Sequence, residues 1–247
     1  MKTILITGAT AGFGEAAARK FVSGGWRAIG TGRRGGRLRK LQEELGDAFL
    51  PLEIDMLDLP AVESLAKLQA PWGDIDLLLN NAGLAPPTDP LPQTDWDRIA
   101  RVIDTNVTGL VALTRALLPK LVERKGQIIN LSSVAATYPY KGGAVYAGTK
   151  AFVHQFSLDL RSDLAGTGVR VTSVEPGMAE TEFTVVRTGG DKQASDNLYA
   201  GMNPMTSDDL ANLFWWLANL PPHLNINIVE LMPVSQSFAG FTVTREA

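Results

Sequence analysis

The sequence predicts an α/β protein: one doubly wound parallel sheet of about seven strands, with helices on both faces. Three observations carry this. Short apolar runs without polar alternation recur along the chain, as strands covered on both faces require. Helical patterns separate them, the arrangement of successive βαβ units. The residues with evident chemistry fall just beyond the C-terminal ends of those runs, where such a sheet binds ligands.

The chain has 247 residues, a length that suits one large domain spanning 1–247. Its formal charge is -3 and its pI about 5.5, which argues against a nucleic-acid binder, whose surface must be basic. There is no cysteine, hence no disulfide framework, thiol nucleophile or Cys-based metal site. His154 and His223 have no partner at metal-ligand spacing, and no metal is expected. No apolar run reaches the roughly 18 residues of a membrane helix, and MKTILITG is too short in apolar residues for a signal peptide. A cytoplasmic protein without membrane or nucleic-acid partners is the expectation.

The first run is Lys2 to Thr7, KTILIT. It leads into Gly8-Ala9-Thr10-Ala11-Gly12-Phe13-Gly14 and a helical pattern, EAAARKFVSGG. Glycines at a strand-to-helix turn permit a tight turn, let backbone approach a pyrophosphate and let the helix pack close to the strand. The helix N-terminus then offers unpaired N–H groups to an anion. Gly8, Thr10, Gly12, Phe13 and Gly14 are therefore candidate cofactor contacts, against the plainer reading of a Gly-rich turn without a ligand. The spacing is Gly-x3-Gly-x-Gly, not G-x-G-x-x-G.

The second strand, Trp26 to Thr31, ends in Gly32-Arg33-Arg34. An NAD site places a carboxylate here, about 20 residues after the glycines, to bond the ribose 2′-hydroxyl. Two arginines instead favour a 2′-phosphate, which a guanidinium grips with two parallel bonds. NADP(H) is thus the predicted cofactor; the rival reading is a solvated basic helix, RRGGRLRKLQEEL. The third strand, Ala48 to Ile54, ends in Asp55, placed for the adenine edge or for a helix N-cap. A helix from Pro60 to Gln69 and a fourth strand, Ile75 to Leu79, follow. Asn81, Ala82 and Gly83 then suit close backbone approach to a ribose, or simply a turn.

One long helical region is predicted from about Thr94 to Arg124. It carries Asn106, a polar residue on an apolar face that needs a partner: it stabilises a kink or holds a water near the reacting group. The fifth strand, Gln127 to Leu131, ends in a Ser pair, and a Gly/Pro-containing loop leads to a helix from Tyr146 to Leu164. Tyr146 and Lys150, four apart, share a helix face. With Ser133 beyond the strand end they suggest proton transfer to or from an oxygen. In oxidation Tyr146 would take the alcohol proton. An unperturbed phenol, at roughly 10, is too weakly acidic for that near neutrality. Lys150 and a positive nicotinamide would favour the phenolate, and Ser133 would hydrogen-bond the reacting oxygen.

The sixth strand, Val169 to Val174, runs to Glu175-Pro176-Gly177. From Met178 to Met205 no period is evident, and so long a segment in a compact domain suggests a substrate lid at 178–205. It holds Arg187 and Lys192. Arg187, near the Pro-Gly turn, either anchors an anionic substrate or is a solvated loop residue, with Lys141 as the next candidate. A helix from Ser207 to Leu220 carries Trp215 and Trp216, which cannot point the same way, and a final strand runs from Ile226 to Leu231.

TGATAGFG, NNAG, Asn106, Ser133, Tyr146-x3-Lys150 and Pro176-Gly177 resemble, in order and spacing, the short-chain dehydrogenase/reductase family, across essentially the whole chain. Within it the chain is similar to bacterial NADP-dependent 3-hydroxy acid dehydrogenases acting on serine and allo-threonine, on TGRR, LNNAGLA, YAGTKAFVHQFSLDLRSDL and LPPHLNINIVELMPVSQS. The resemblance implies a Rossmann-type fold and a catalytic set of Asn106, Ser133, Tyr146 and Lys150, with Asn106 holding a water that links Lys150 to solvent. It implies Pro176 and Gly177 near the cofactor, and a homotetramer paired through the helices Thr94–Arg124 and Tyr146–Leu164. The alternatives are a reductase of a sulfonated aldehyde and a non-catalytic dinucleotide-binding protein, which would be expected to lack Tyr146 or Lys150.

Overall fold

Strand β1 (Thr3–Thr7) is the seam of the molecule. It pairs in parallel with β2 (Arg27–Gly32) on one side and β4 (Leu77–Asn80) on the other. The computed structural model describes residues 1–237. In it β3 (Phe49–Glu53), β5 (Gln127–Leu131), β6 (Arg170–Pro176) and β7 (Ile228–Leu231) complete a parallel sheet in the order β3-β2-β1-β4-β5-β6-β7. After β3 the chain crosses back over β2 and β1 to begin β4, so the winding reverses between β1 and β4. That reversal opens a crevice at the C-terminal strand ends.

Strand alternation divides the core in two. From β1, Ile4 and Ile6 face helices α1 (Gly12–Ser23), α2 (Gly35–Leu45) and α9 (Ser207–Ala218), among Phe21, Leu38 and Phe214. Leu5 faces the other way, toward α3 (Leu59–Ser64), α5 (Gly109–Arg124) and α6 (Ala144–Asp163), among Val62, Leu117 and Leu160. Both faces are covered, which is why these strands read as unbroken apolar runs. Trp215 packs edge-on against Phe21 and Trp26, at 5.3 and 6.3 Å between ring centroids. Trp216, next to it, is 52% exposed. The pair diverges as the helical angle demands.

Two expectations need correction. The region Thr94–Arg124 is not one regular helix. Asp95 caps α4 (Trp96–Ile103), a π turn follows at Asp104–Thr108, and α5 continues from Gly109. The π turn is where Asn106 sits. The stretch Met178–Met205 is not irregular: it folds into α7 (Glu182–Arg187) and α8 (Lys192–Tyr199), capped by the side chains of Thr181 and Asp191. These helices are too short for a hydrophobic period to register. The Tyr199 hydroxyl donates to Ala179 O at 2.8 Å and meets Thr184 Oγ1 at 2.6 Å, which ties α8 to α7 and both to the end of β6. No helix among the described residues is long and apolar enough to cross a membrane.

Candidate active site

The turn after β1 takes two left-handed glycines, Gly8 at φ 72° and Gly12 at φ 57°, a conformation that side chains resist. Gly14 lies inside α1, off the cleft wall. A Cβ there would run into Gly8 O and the Asn81 amide, so this glycine serves helix–strand packing rather than direct contact. Asn81, expected near a ribose, lines the cleft and also pins the turn: Nδ2 donates to Thr7 O at 2.8 Å and Gly8 O at 3.2 Å. Thr7 Oγ1 in return accepts from the backbone N–H of Asn81 and of Ala82, at 3.0 and 2.9 Å. Thr7 was not singled out in the sequence, where it reads as one more strand residue.

Beyond β2, Arg34 bonds Thr10 Oγ1 through Nε at 3.1 Å and Nη2 at 2.8 Å. Arg33 stands 3.9 Å from Asp55, which also lies 3.7 Å from Arg101. Asp55 lines the cleft beside Ile54. The N-cap of the next helix falls to Asp58, whose carboxylate accepts from Ala61 N at 3.1 Å.

Beyond β5, Ser133 is buried, donating to Pro176 O at 3.3 Å and accepting from Ala135 N at 3.1 Å. It lies near enough to the phenol of Tyr146 to favour the phenolate. Lys150 is buried on α6, and its Nζ donates to Leu131 O at 2.6 Å. It stands 5.7 Å from the centroid of the Tyr146 ring. Burial pushes the phenol of Tyr146 up to about 12, with the Ser133 hydroxyl and the Arg187 charge pulling the other way. Burial pushes Lys150 down to about 8. Nζ is turned to a backbone carbonyl, so in this arrangement Lys150 acts on the phenol through its charge at a distance, alongside Ser133 and Arg187.

Asn106 clamps the loop after β4. Its Oδ1 accepts from Leu84 N and its Nδ2 donates to Leu84 O, both at 2.8 Å, and Nδ2 also reaches Thr149 Oγ1 at 3.0 Å. Both amide hydrogens are committed to protein, so the side chain clamps this loop. A Cβ on Gly83 would stand 3.5 Å from Asn106 Oδ1 and 3.6 Å from Lys150 Nζ. Gly83 therefore lies beside both groups.

Arg187, at the end of α7, turns inward. Its Nη2 donates to the Tyr140 hydroxyl at 2.9 Å, and its guanidinium lies 5.4 and 5.6 Å from the ring centroids of Tyr140 and Tyr146. Its Nε is buried without a protein acceptor among the described residues. The other two cations point elsewhere: Lys192 pairs with Asp196 at 2.7 Å, and Lys141 is exposed and off the cleft wall. Pro176 O receives Ser133, and Gly177 N donates to Leu231 O at 2.8 Å.

These groups line one cleft of about 920 Å³. It runs from Arg33, Arg34 and Asp55, past Gly8, Thr10, Gly12 and Phe13 and then Asn81, Ala82 and Gly83, to Ser133, Tyr146, Lys150, Pro176, Gly177 and Arg187. Gly14 and Asn106 stand behind the wall. Sequence reasoning missed Tyr140 and Glu182, both lining it. Tyr140 was visible as an aromatic six residues before Tyr146; Glu182 had no signal, since its partners lie far away in sequence. Of the histidines, His154 pairs with the buried Glu175 at 2.6 Å.

The short chain dehydrogenase family matches this chain over residues 2–190. The chain belongs to the short-chain dehydrogenase/reductase family. Among relatives in this family, a serine 3-dehydrogenase of Agrobacterium fabrum is 61% identical over 249 residues, covering 99% of each chain. An NADP-dependent 3-hydroxy acid dehydrogenase of Salmonella typhi is 51% identical, covering 98% of this chain and 99% of the relative. A solved structure, the closed form of serine dehydrogenase complexed with NADP+, superposes with a TM-score of 0.96 at 48% identity, covering 99% of this chain and 100% of that one. The family's parallel sheet is the one seen here.

Proposed function

We propose that this chain is an NADP(H)-dependent oxidoreductase. It would move a hydride between the cofactor and a small, polar, anionic 3-hydroxy acid of the serine or allo-threonine type, or the matching carbonyl compound. One observation carries the substrate class: Arg187 is held over Tyr146 with its Nε buried and unpartnered. A buried cationic donor calls for an anion. Relatives named as serine and 3-hydroxy acid dehydrogenases support the same reading.

The cleft suits the cofactor on its own terms. Backbone exposed by left-handed glycines meets a pyrophosphate closely, and the arginines after β2 suit a 2′-phosphate. Gly8, Thr10, Gly12, Phe13, Arg33, Arg34, Asp55, Asn81, Ala82, Gly83, Pro176 and Gly177 would hold it, with Tyr146 and Lys150 at the reacting end. Bound NADP(H) would supply the hydride and, when oxidised, a positive charge. Arg187 binds the substrate's acidic group. Ser133 hydrogen-bonds the reacting oxygen. Tyr146 gives its proton to that oxygen in reduction and takes it in oxidation. Lys150, buried and cationic below about 8, adds positive charge beside the phenol. Asn106 holds the loop that sets Gly83 beside itself and Lys150.

The lid assigned to 178–205 is α7 with α8, within a single domain. A cytoplasmic homotetramer is the assembly we infer; Phe152 and Phe156 stack at 5.7 Å on α6 with Phe152 40% exposed, which suits a subunit contact. The guanidinium of Arg187 would serve a sulfonate as well, so a sulfonated-aldehyde reductase is the second reading. A panel of serine, allo-threonine, simple 3-hydroxy acids, neutral alcohols and sulfoacetaldehyde with NADP(H) decides. Equal turnover of neutral and anionic substrates would remove the anionic reading; a strong preference for sulfoacetaldehyde would select the second.

A further inference from the structure

Helix α7 touches two distant parts of the cleft. Its last residue, Arg187, lies over Tyr146. Its first, Glu182, reaches the arginines after β2. Glu182 Oε2 accepts from Arg34 Nη1 at 2.6 Å and from Arg37 Nη1 at 2.7 Å, while Oε1 accepts from Arg37 Nη2 at 2.8 Å. The Arg37 and Arg34 guanidinium groups hold this carboxyl down at about 2, so it is an anion at any working pH. Arg34 directs Nε and Nη2 at Thr10. Each nitrogen of its guanidinium therefore already faces a protein oxygen.

We propose that Glu182 is a positioning residue that sets cofactor preference: its carboxylate takes, at Arg34, the place of a ribose 2′-phosphate. This rests on the reading of Arg33 and Arg34 as the 2′-phosphate cradle. A 2′-phosphate draws on the guanidinium donors of Arg34, and one of these, Nη1, is already turned to Glu182. A 2′-phosphate therefore takes Arg34 away from Glu182. Arg37 keeps its two bonds to Glu182, so α7 stays attached through the neighbouring arginine. A cofactor lacking the phosphate leaves both ties in place. The lid helix thus senses which dinucleotide is bound, at the end of the cleft away from the chemistry.

The test is Glu182→Gln in the full chain, titrated with NADPH, NADH and adenosine 2′,5′-bisphosphate by fluorescence. Removing the competing charge should tighten NADPH and the bisphosphate by about fivefold, the scale of an exposed ion pair, and leave NADH unchanged. A role in lid stability alone would move NADPH and NADH together; that result, or no change in either, overturns the proposal. Arg37→Ala supplies a second measurement. With wild-type Glu182 it leaves the carboxylate wholly to Arg34, so NADPH should weaken more than it does in the Glu182→Gln background. Equal losses would count against the competition. If the unaltered protein binds NADPH and NADH alike, the cradle reading itself fails, and the proposal falls with it.

Discussion

Arg187 lies over the face of Tyr146, 5.6 Å from guanidinium carbon to ring centroid, and is held there by the Tyr140 hydroxyl at 2.9 Å. A cation beside a buried phenol does two things. It favours the phenolate, and it offers donors to an anion bound next to the reacting oxygen. Arg187→Met should therefore raise KM for anionic substrates by about tenfold or more, at about 1.4 kcal/mol per decade. A neutral aldehyde should be turned over with little change in KM. Steady-state kinetics on both substrate types checks this, and equal losses would shift the anchor elsewhere.

Tyr146 should be needed for proton transfer alone. Tyr146→Phe keeps the ring that packs 5.8 Å from Phe183, so it should fold and bind NADPH. Its turnover should drop by about a hundredfold or more, the usual contribution of a general acid or base. Near-normal kcat would remove the residue from the mechanism.

The pH profiles in the two directions should differ. With its pKa at about 12, Tyr146 holds its proton throughout the neutral range. Reduction, which uses that proton, should be flat there. Oxidation needs the phenolate, so kcat/KM should climb with pH. Lys150 loses its charge as pH rises through about 8, which withdraws support from the phenolate and should bend the climb over above that value. A flat oxidation profile across the same range would contradict Tyr146 as the base.

Cofactor preference should follow the arginines after β2. The protein should favour NADP(H), and replacing Arg33 and Arg34 by Ala should abolish most of that preference. Each lost charge-assisted hydrogen bond costs about 1.5–3 kcal/mol. Comparing kcat/KM for the two cofactors before and after settles it; an unchanged ratio would assign the arginines to the surface.

What could be read from the chain beforehand was whatever its chemistry kept local. The glycine turn, the arginine pair and Tyr146-x3-Lys150 each lie within one strand–turn–helix unit, so spacing alone placed them. What could not be read depends on partners that only the topology brings near. Asn81 bonds Thr7 and Gly8 more than 70 residues away, and Glu182 meets Arg34 at a separation of 148. Asn106 was visible as a polar residue needing a partner, but not that Leu84 and Thr149 would supply it. The lid helices were hidden for another reason: six and eight residues give too few turns to show a period, although Thr181 and Asp191 are ordinary N-caps.

The π turn at Asp104–Thr108 makes length, rather than residue identity, the constraint on this part of the chain. A π turn holds one residue more than a regular α-helical ladder needs. Deleting any one of the five would let α4 and α5 fuse into an unbroken helix, with better backbone geometry than the native one. The same edit would leave α4 and α5 close to their present register, because the turn absorbs the extra residue, and would remove the bulge that aims Asn106 at Leu84 and Thr149. The helix would be mended and the loop after β4 cut loose. Between those residues, a conservative-looking deletion is thus more damaging than many substitutions, and the surplus residue works as a spacer whose count matters more than its chemistry.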